Sequence, residues 1–102
     1  MYKIRVTKQD AEKLLADVPA DRVFWCCDGR VFKNMRELAD GLANMSDDAF
    51  LYHSNDEKHD FSNWLADVVE DEKLAKDLTN SISRREAAKR VNDRVTLLNM
   101  KL

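Results

Sequence analysis

The chain has 102 residues, the size of one domain, with no room for a second. Hydrophobic residues at 44% and charged residues at 35% suffice for one core and argue against disorder, while two Gly and one Pro exclude a turn-rich all-β sandwich or a collagen-like chain. A net charge of −2 and a pI near 5.7 exclude a strongly basic nucleic-acid coat protein.

The first ten residues, MYKIRVTKQD, alternate Tyr2, Ile4 and Val6 with Lys3 and Arg5, which predicts a short strand. Thr7 then offers an N-cap, and Asp10 and Glu12 put negative charge in a first helical turn, where the helix dipole favours it. Ala11, Leu14, Leu15 and Val18 give this helix one apolar face, and Pro19 stops it. Val23 to Cys27 is a β-type run followed by Asp28-Gly29 and then Arg30-Val31-Phe32, a hairpin signal. A two-residue turn pairs Cys27 with Arg30, Cys26 with Val31 and Trp25 with Phe32. Both faces of such a hairpin are apolar, so coverage on both sides is expected.

Asn34 is a candidate N-cap with Glu37 as its capping-box partner, and Met35, Leu38, Ala39, Leu42 and Met45 form the stripe that follows. Ser46 starts a second capped segment with Asp47 and Asp48 in its first turn, running through Ala49, Phe50 and Tyr52 to His53. Residues 54–59 read as a polar loop. Asp60 is the next expected N-cap, ahead of Phe61, Trp64, Leu65, Val68 and Val69. Glu70-Asp71-Glu72 opens a short helix through Leu74, Ala75 and Leu78. Ser83 with Glu86 starts a last helix whose common face carries Ala87, Ala88, Val91, Val95, Leu98 and Leu102. The expected architecture is a single mainly helical α+β domain over 1–102, with four or five helices and a small antiparallel β-hairpin in the N-terminal third.

The order Asp28-Gly29, Glu37-Leu38, Phe50 with Tyr52-His53, Asp60-Phe61 with Trp64, and Leu74-Ala75 resembles a family of small archaeal and bacterial proteins known as a domain of unknown function. The resemblance covers residues 22–80. The family commonly has Asn before the Asp-Phe pair, where this chain has His59. It implies cytoplasmic placement and supplies no activity, cofactor or substrate. The same placement follows from the absence of an apolar stretch near the roughly 18 residues that span a bilayer, and from an N-terminus without the apolar run of a signal peptide. Cys26 and Cys27 are neighbours and the chain's sole cysteines, so a reduced protein without a disulfide framework is expected.

No residue set commits the chain to catalysis. His53 and His59 lie six apart among Asp56, Glu57 and Asp60, but a zinc site needs three or four ligands at defined spacing, and no CxxC or HxxxH is present. Cys26 and Cys27 could supply thiolates, yet neighbours on a strand point to opposite faces and chelate poorly. The expected roles are a buried small hydrophobe for one and a rim position for the other. A reactive thiol would need a nearby cation, which Arg30 could supply. Ser54, His53 and Asp56 in one polar loop do not make a triad. The two glycines stand twelve apart, which excludes a phosphate loop and a dinucleotide fingerprint. No catalytic, cofactor or metal residue is therefore assigned.

Charge is uneven along the chain. Residues 1–46 carry 8 basic and 7 acidic groups, 47–77 carry 3 and 10, and 78–102 carry 6 and 2. The basic segment marks Arg84, Arg85, Lys89, Arg90, Arg94 and Lys101 as candidate contacts to a partner or to nucleic-acid phosphates. The favoured reading of these side chains is a solvated helix face set against the acidic middle of this chain or of a partner. Trp25, Phe32, Phe50, Phe61 and Trp64 fall on apolar stripes and are expected in the core, any exposed one marking a contact surface. The function expected is that of a non-enzymatic protein-interaction or accessory domain, with a homodimer through the last helix as one form. A nucleic-acid-associated protein is the second reading, and a metal- or thiol-dependent enzyme the third.

Overall fold

The computed structural model describes residues 6–80 and 83–102. Among them are six α-helices and one two-stranded antiparallel hairpin, the mainly helical α+β arrangement expected, with one helix more than the four or five anticipated. Tyr2 and Ile4 of the expected N-terminal strand lie outside the described residues; Val6 belongs to no strand and packs half-buried against the core.

Helix α1 (Lys8–Leu15) starts at a reciprocal capping box, the Thr7 hydroxyl accepting from the Asp10 amide while the Asp10 carboxylate accepts from the Thr7 amide. It ends at Leu15, earlier than the Pro19 stop implied. Val18 has left the helix because its N–H donates to the Lys33 carbonyl at 2.8 Å, and Pro19 instead heads a 3₁₀ turn over Ala20–Arg22.

The hairpin pairs β1 (Phe24–Trp25) with β2 (Val31–Phe32) in a register one residue away from the one expected: Phe24 faces Phe32 and Trp25 faces Val31. The cause is a three-residue loop. Gly29 N–H donates to the Cys26 carbonyl at 3.1 Å, Gly29 takes φ +94°, and Cys26 N–H closes the loop onto the Arg30 carbonyl at 2.9 Å. A two-residue type I′ turn would need positive φ at Asp28 as well; Asp28 stays negative, and its carboxylate accepts from the Arg30 amide. A one-residue shift exchanges the faces of a strand. Phe24 and Phe32 therefore point into the core, while Trp25 at 73% exposure and Val31 at 39% face solvent. Coverage on both sides, and a core position for Trp25, are both corrected.

Helix α2 (Met35–Asn44) is capped by Asn34, whose side chain accepts from the Glu37 amide; Glu37 returns its carboxylate to the Lys33 amide, one residue before the cap. Gly41 lies on the buried face, and a Cβ there would overlap the ring of Phe32, so glycine is what lets β2 lie against α2. Helix α3 (Asp47–His53) is capped by Ser46 as expected. The polar turn after it closes with an isolated bridge between Ser54 and His59, and the Asn55 side chain accepts from the amides of Glu57 and Lys58.

Helix α4 (Asp60–Trp64) continues into a single π-helical turn over Leu65–Val69. Glu70 then takes φ +68° in the left-handed region, and the Asp71 amide reaches back to the Leu65 carbonyl at 2.9 Å. A non-glycine residue there is strained. What holds the break is Asp71, which is 3% exposed. Its Oδ1 caps helix α5 (Glu72–Thr79) by accepting from the Leu74 amide, and its two oxygens take a bidentate pair from Arg94 at 2.8 and 3.1 Å.

Arg94 belongs to helix α6 (Arg84–Asn99), capped by Ser83, which packs most extensively on α2. Val91, Val95 and Leu98 are buried; Leu102, expected on the same face, is half-exposed beyond the helix end. This face belongs to the protein's own core, as the spacing of Val91, Val95 and Leu98 predicts. The buried residues form one connected cluster running from Ala11 and Leu15 through Met35, Leu38 and Leu42 to Leu98.

Asp71→Ala removes a helix cap and strands a guanidinium in the interior. The cap accounts for about 1 kcal/mol and the broken buried pair for about 3–5 kcal/mol. An unfolding free energy lowered by that combined amount is expected from urea titration, with Asp71→Asn intermediate because the amide oxygen still caps α5.

Candidate functional site

The six basic residues picked out on the last helix do not form one surface. Arg84 is turned onto its own domain: its Nε meets Asp47 at 2.8 Å, and its terminal nitrogen donates to the carbonyls of Leu42 and Ala43 at the C-terminal end of α2. Arg94 is the buried partner of Asp71. Lys89 pairs with Asp93 and Arg90 with Glu86 across one helical turn. Arg85 and Lys101 are exposed. At 100° per residue the five on α6 spread round the helix rather than along a stripe, and Lys101 lies past the helix end. Two of the four pairs cross to acidic residues of the middle segment, Asp47 and Asp71, as the intramolecular reading of the charge pattern expects.

A different constellation emerges where the hairpin turn meets α3 and α4. His53 ends α3 and is buried. Its ring packs against both Phe24 and Phe61, with centroids 5.1 and 5.3 Å away, and Tyr52 contacts it edge-on at 4.9 Å. Both ring nitrogens are engaged. Nε2 accepts from the Cys27 amide at 3.0 Å, so Nδ1 carries the proton and donates to Asp60 Oδ2 at 2.9 Å. Asp60 is therefore not the N-cap expected of it. His59 occupies the cap position without a side-chain bond, Asp60 is the first helical residue, and its carboxylate is aimed at His53 with Lys58 at 3.4 Å beside it.

Cys26 is buried and Cys27 exposed, the roles expected of the pair. The expectation that they diverge too far to share a ligand is corrected. Cys27 is in the turn rather than on a strand, and the two sulfurs and a His53 nitrogen all lie within 4.8 Å of one another. The sequence offered all three as possible zinc donors, but no spacing motif joins them, since His53 arrives from 26 residues away. Burial pushes the Cys26 thiol up to about 11, with the neighbouring Asp28 carboxylate adding to the shift. Asp28 itself is held below the usual carboxylate range by the Arg30 amide.

As a nucleophilic site this arrangement is incomplete. The Cys27 sulfur is directed to the Ala49 carbonyl at 3.8 Å, and the imidazole lone pair is taken by the Cys27 amide, so the thiol–base hydrogen bond that defines an activated cysteine is missing among the described residues. Cys26, whose thiol stays protonated at neutral pH, is no better placed.

Two other surfaces border this turn. Trp25 and Val31 form the outward face of the hairpin. Next to Val31, a groove of about 740 Å³ runs between β2 and α2, lined by Arg30, Asn34, Arg36, Glu37, Asp40 and Asn44 among others. Comparison of the chain with protein-family models, curated proteins and solved structures finds no match.

Two outcomes test the site's internal geometry. Asp60→Asn keeps an acceptor for His53 Nδ1–H and is expected to cost under about 1 kcal/mol, whereas Asp60→Ala loses the bond and is expected to cost about 1–2 kcal/mol, both read from denaturant midpoints. The second concerns pH. Cys26 ionises near 9.0 when unfolded and near 11 when folded, so across that interval the unfolded chain holds fewer protons and stability falls as pH rises. Melting curves taken over this interval are expected to show a decline that Cys26→Ala reduces.

Proposed function

We propose that this chain is a cytoplasmic, non-enzymatic interaction domain that docks another protein on the outer face of its hairpin. The observation that supports this reading is Trp25. A tryptophan can bury about 150–250 Å² on association, and this one stands 73% exposed on a strand paired to a second outward apolar residue, Val31. Its exposure is not a failure of packing. The turn geometry aims Phe24 and Phe32 inward and leaves Trp25 with no place in the core. The groove beside Val31 carries both signs of charge, Arg30 and Arg36 against Glu37 and Asp40, and supplies a polar margin next to an apolar centre, as protein interfaces have.

The pairing of Arg84, Lys89, Arg90 and Arg94 within the fold is the reason the protein-partner reading is preferred to nucleic acid. Trp25→Ala removes an exposed side chain and is expected to leave stability within about 0.5 kcal/mol of the parent. Affinity capture run in parallel on the parent and Trp25→Ala baits is expected to retain a partner on the first and lose it on the second. Tryptophan emission of the parent is expected to shift to the blue on binding, since Trp64 is already buried and Trp25 alone changes surroundings. Identical partner sets on the two baits, or salt-sensitive retention of RNA or DNA by both, would overturn the reading.

A further inference from the structure

We propose that Cys26, Cys27 and His53 form a binding site for a thiophilic divalent cation of the zinc class, with Asp60 fixing the imidazole. The ligand set is the first argument. Two sulfurs and an imidazole nitrogen are the donors that select zinc-class ions over magnesium or calcium, and here all three lie within 4.8 Å of one another. A tetrahedral site with Zn–S about 2.3 Å and Zn–N about 2.0 Å has ligand separations of about 3.5–3.8 Å. The donors must close by up to about 1.3 Å. Cys27 sits in an exposed turn, where rotation of its side chain supplies that movement.

The second argument is the carboxylate behind the histidine. A metal-bound histidine almost always donates its other ring N–H to a carboxylate or carbonyl, which sets the tautomer and raises the basicity of the ligating nitrogen. His53 Nδ1 donates to Asp60 Oδ2 at 2.9 Å, so the nitrogen left with a lone pair is Nε2, the one facing the cysteine turn. The Cys27 amide that now uses that lone pair must release it, and at the exposed turn water replaces the lost acceptor. The aromatic walls of Phe24 and Phe61 limit water on the inner side of the imidazole. Two thiolates balance the charge of a divalent ion, and a fourth position remains toward solvent beside Cys27. This site is independent of docking at Trp25, although it would brace the same turn.

The test uses the full chain, reduced and stripped of metal. Zn²⁺ affinity is measured by competition with a chromophoric chelator, and Co²⁺ is added to a second sample and followed by absorption. One equivalent of Zn²⁺ is expected, together with a thiolate-to-cobalt charge-transfer band and the intense visible bands of tetrahedral Co²⁺. Cys27→Ser, at an exposed position where the fold is retained, is expected to weaken Zn²⁺ at least tenfold and reduce the charge-transfer band. Asp60→Asn is expected to weaken it 10–100-fold without removing that band, because Asp60 positions a ligand and is not one. Melting curves of each variant establish that it is folded before titration. Absence of stoichiometric Zn²⁺ binding, a Co²⁺ spectrum without sulfur ligation, or affinity unchanged in Cys27→Ser would overturn the proposal.

Discussion

The imidazole of His53 is the point on which the N-terminal half of the fold turns. Three elements meet there: the hairpin turn, 26 residues away, through the Cys27 amide, the end of α3 through the residue itself, and the start of α4 through Asp60. A buried polar ring is costly unless both nitrogens are satisfied. Here a backbone donor fixes one tautomer and a carboxylate accepts from the other side, so the ring can pack against Phe24 and Phe61 without leaving an orphan. The stack of Phe24 on Phe61, and of Phe61 on Phe50, then carries the hairpin onto the helices.

The C-terminal half has an equivalent anchor in Asp71 and Arg94. Asp71 begins α5, ends the π turn and pairs with the largely enclosed guanidinium of Arg94 on α6. Glu70 tolerates a left-handed backbone because the residues on either side are committed elsewhere. A buried ion pair of this kind does not by itself make a protein more stable than an apolar equivalent would. It does make one arrangement of α5 against α6 much better than its neighbours. The charge asymmetry of the chain finds its partner internally through this pair and through Arg84 with Asp47, which ties the acidic middle to the basic end.

One local event, the three-residue turn over residues 27–29, sets up both surfaces on which function is proposed. By shifting the register it turns Trp25 out of the core, and by taking Cys27 off the strand it brings that thiol to the same side as Cys26 and His53. An interface and a cation site that share a turn need not act together, but each is sensitive to its geometry. Gly29 is the residue that permits it, since its φ of +94° is open to few others.

Local chemistry was enough to place most of the helices. Thr7, Asn34, Ser46 and Ser83 cap the helices that follow them, as expected, because a cap needs only a side-chain oxygen within three residues of a free amide, a relation written entirely in neighbouring residues. The stripes of α2 and α6 were legible for the same reason: periodicity of 3.6 is a property of the segment. Where the reading went astray, a distant group had intervened. Val18 left α1 for the Lys33 carbonyl, and Asp60 gave up the cap position to hold His53. The hairpin register depended on whether Asp28 took positive φ, and both turn types suit an Asp-Gly pair. The cluster of Cys26, Cys27 and His53 had no local signal, because its spacing exists only once α3 has packed beneath the turn. Sequence by itself determined which segments are helical and which faces are apolar, since those follow from neighbours along the chain. Tertiary structure alone decided which polar side chains meet, because a buried donor must find its acceptor wherever the packed fold supplies one.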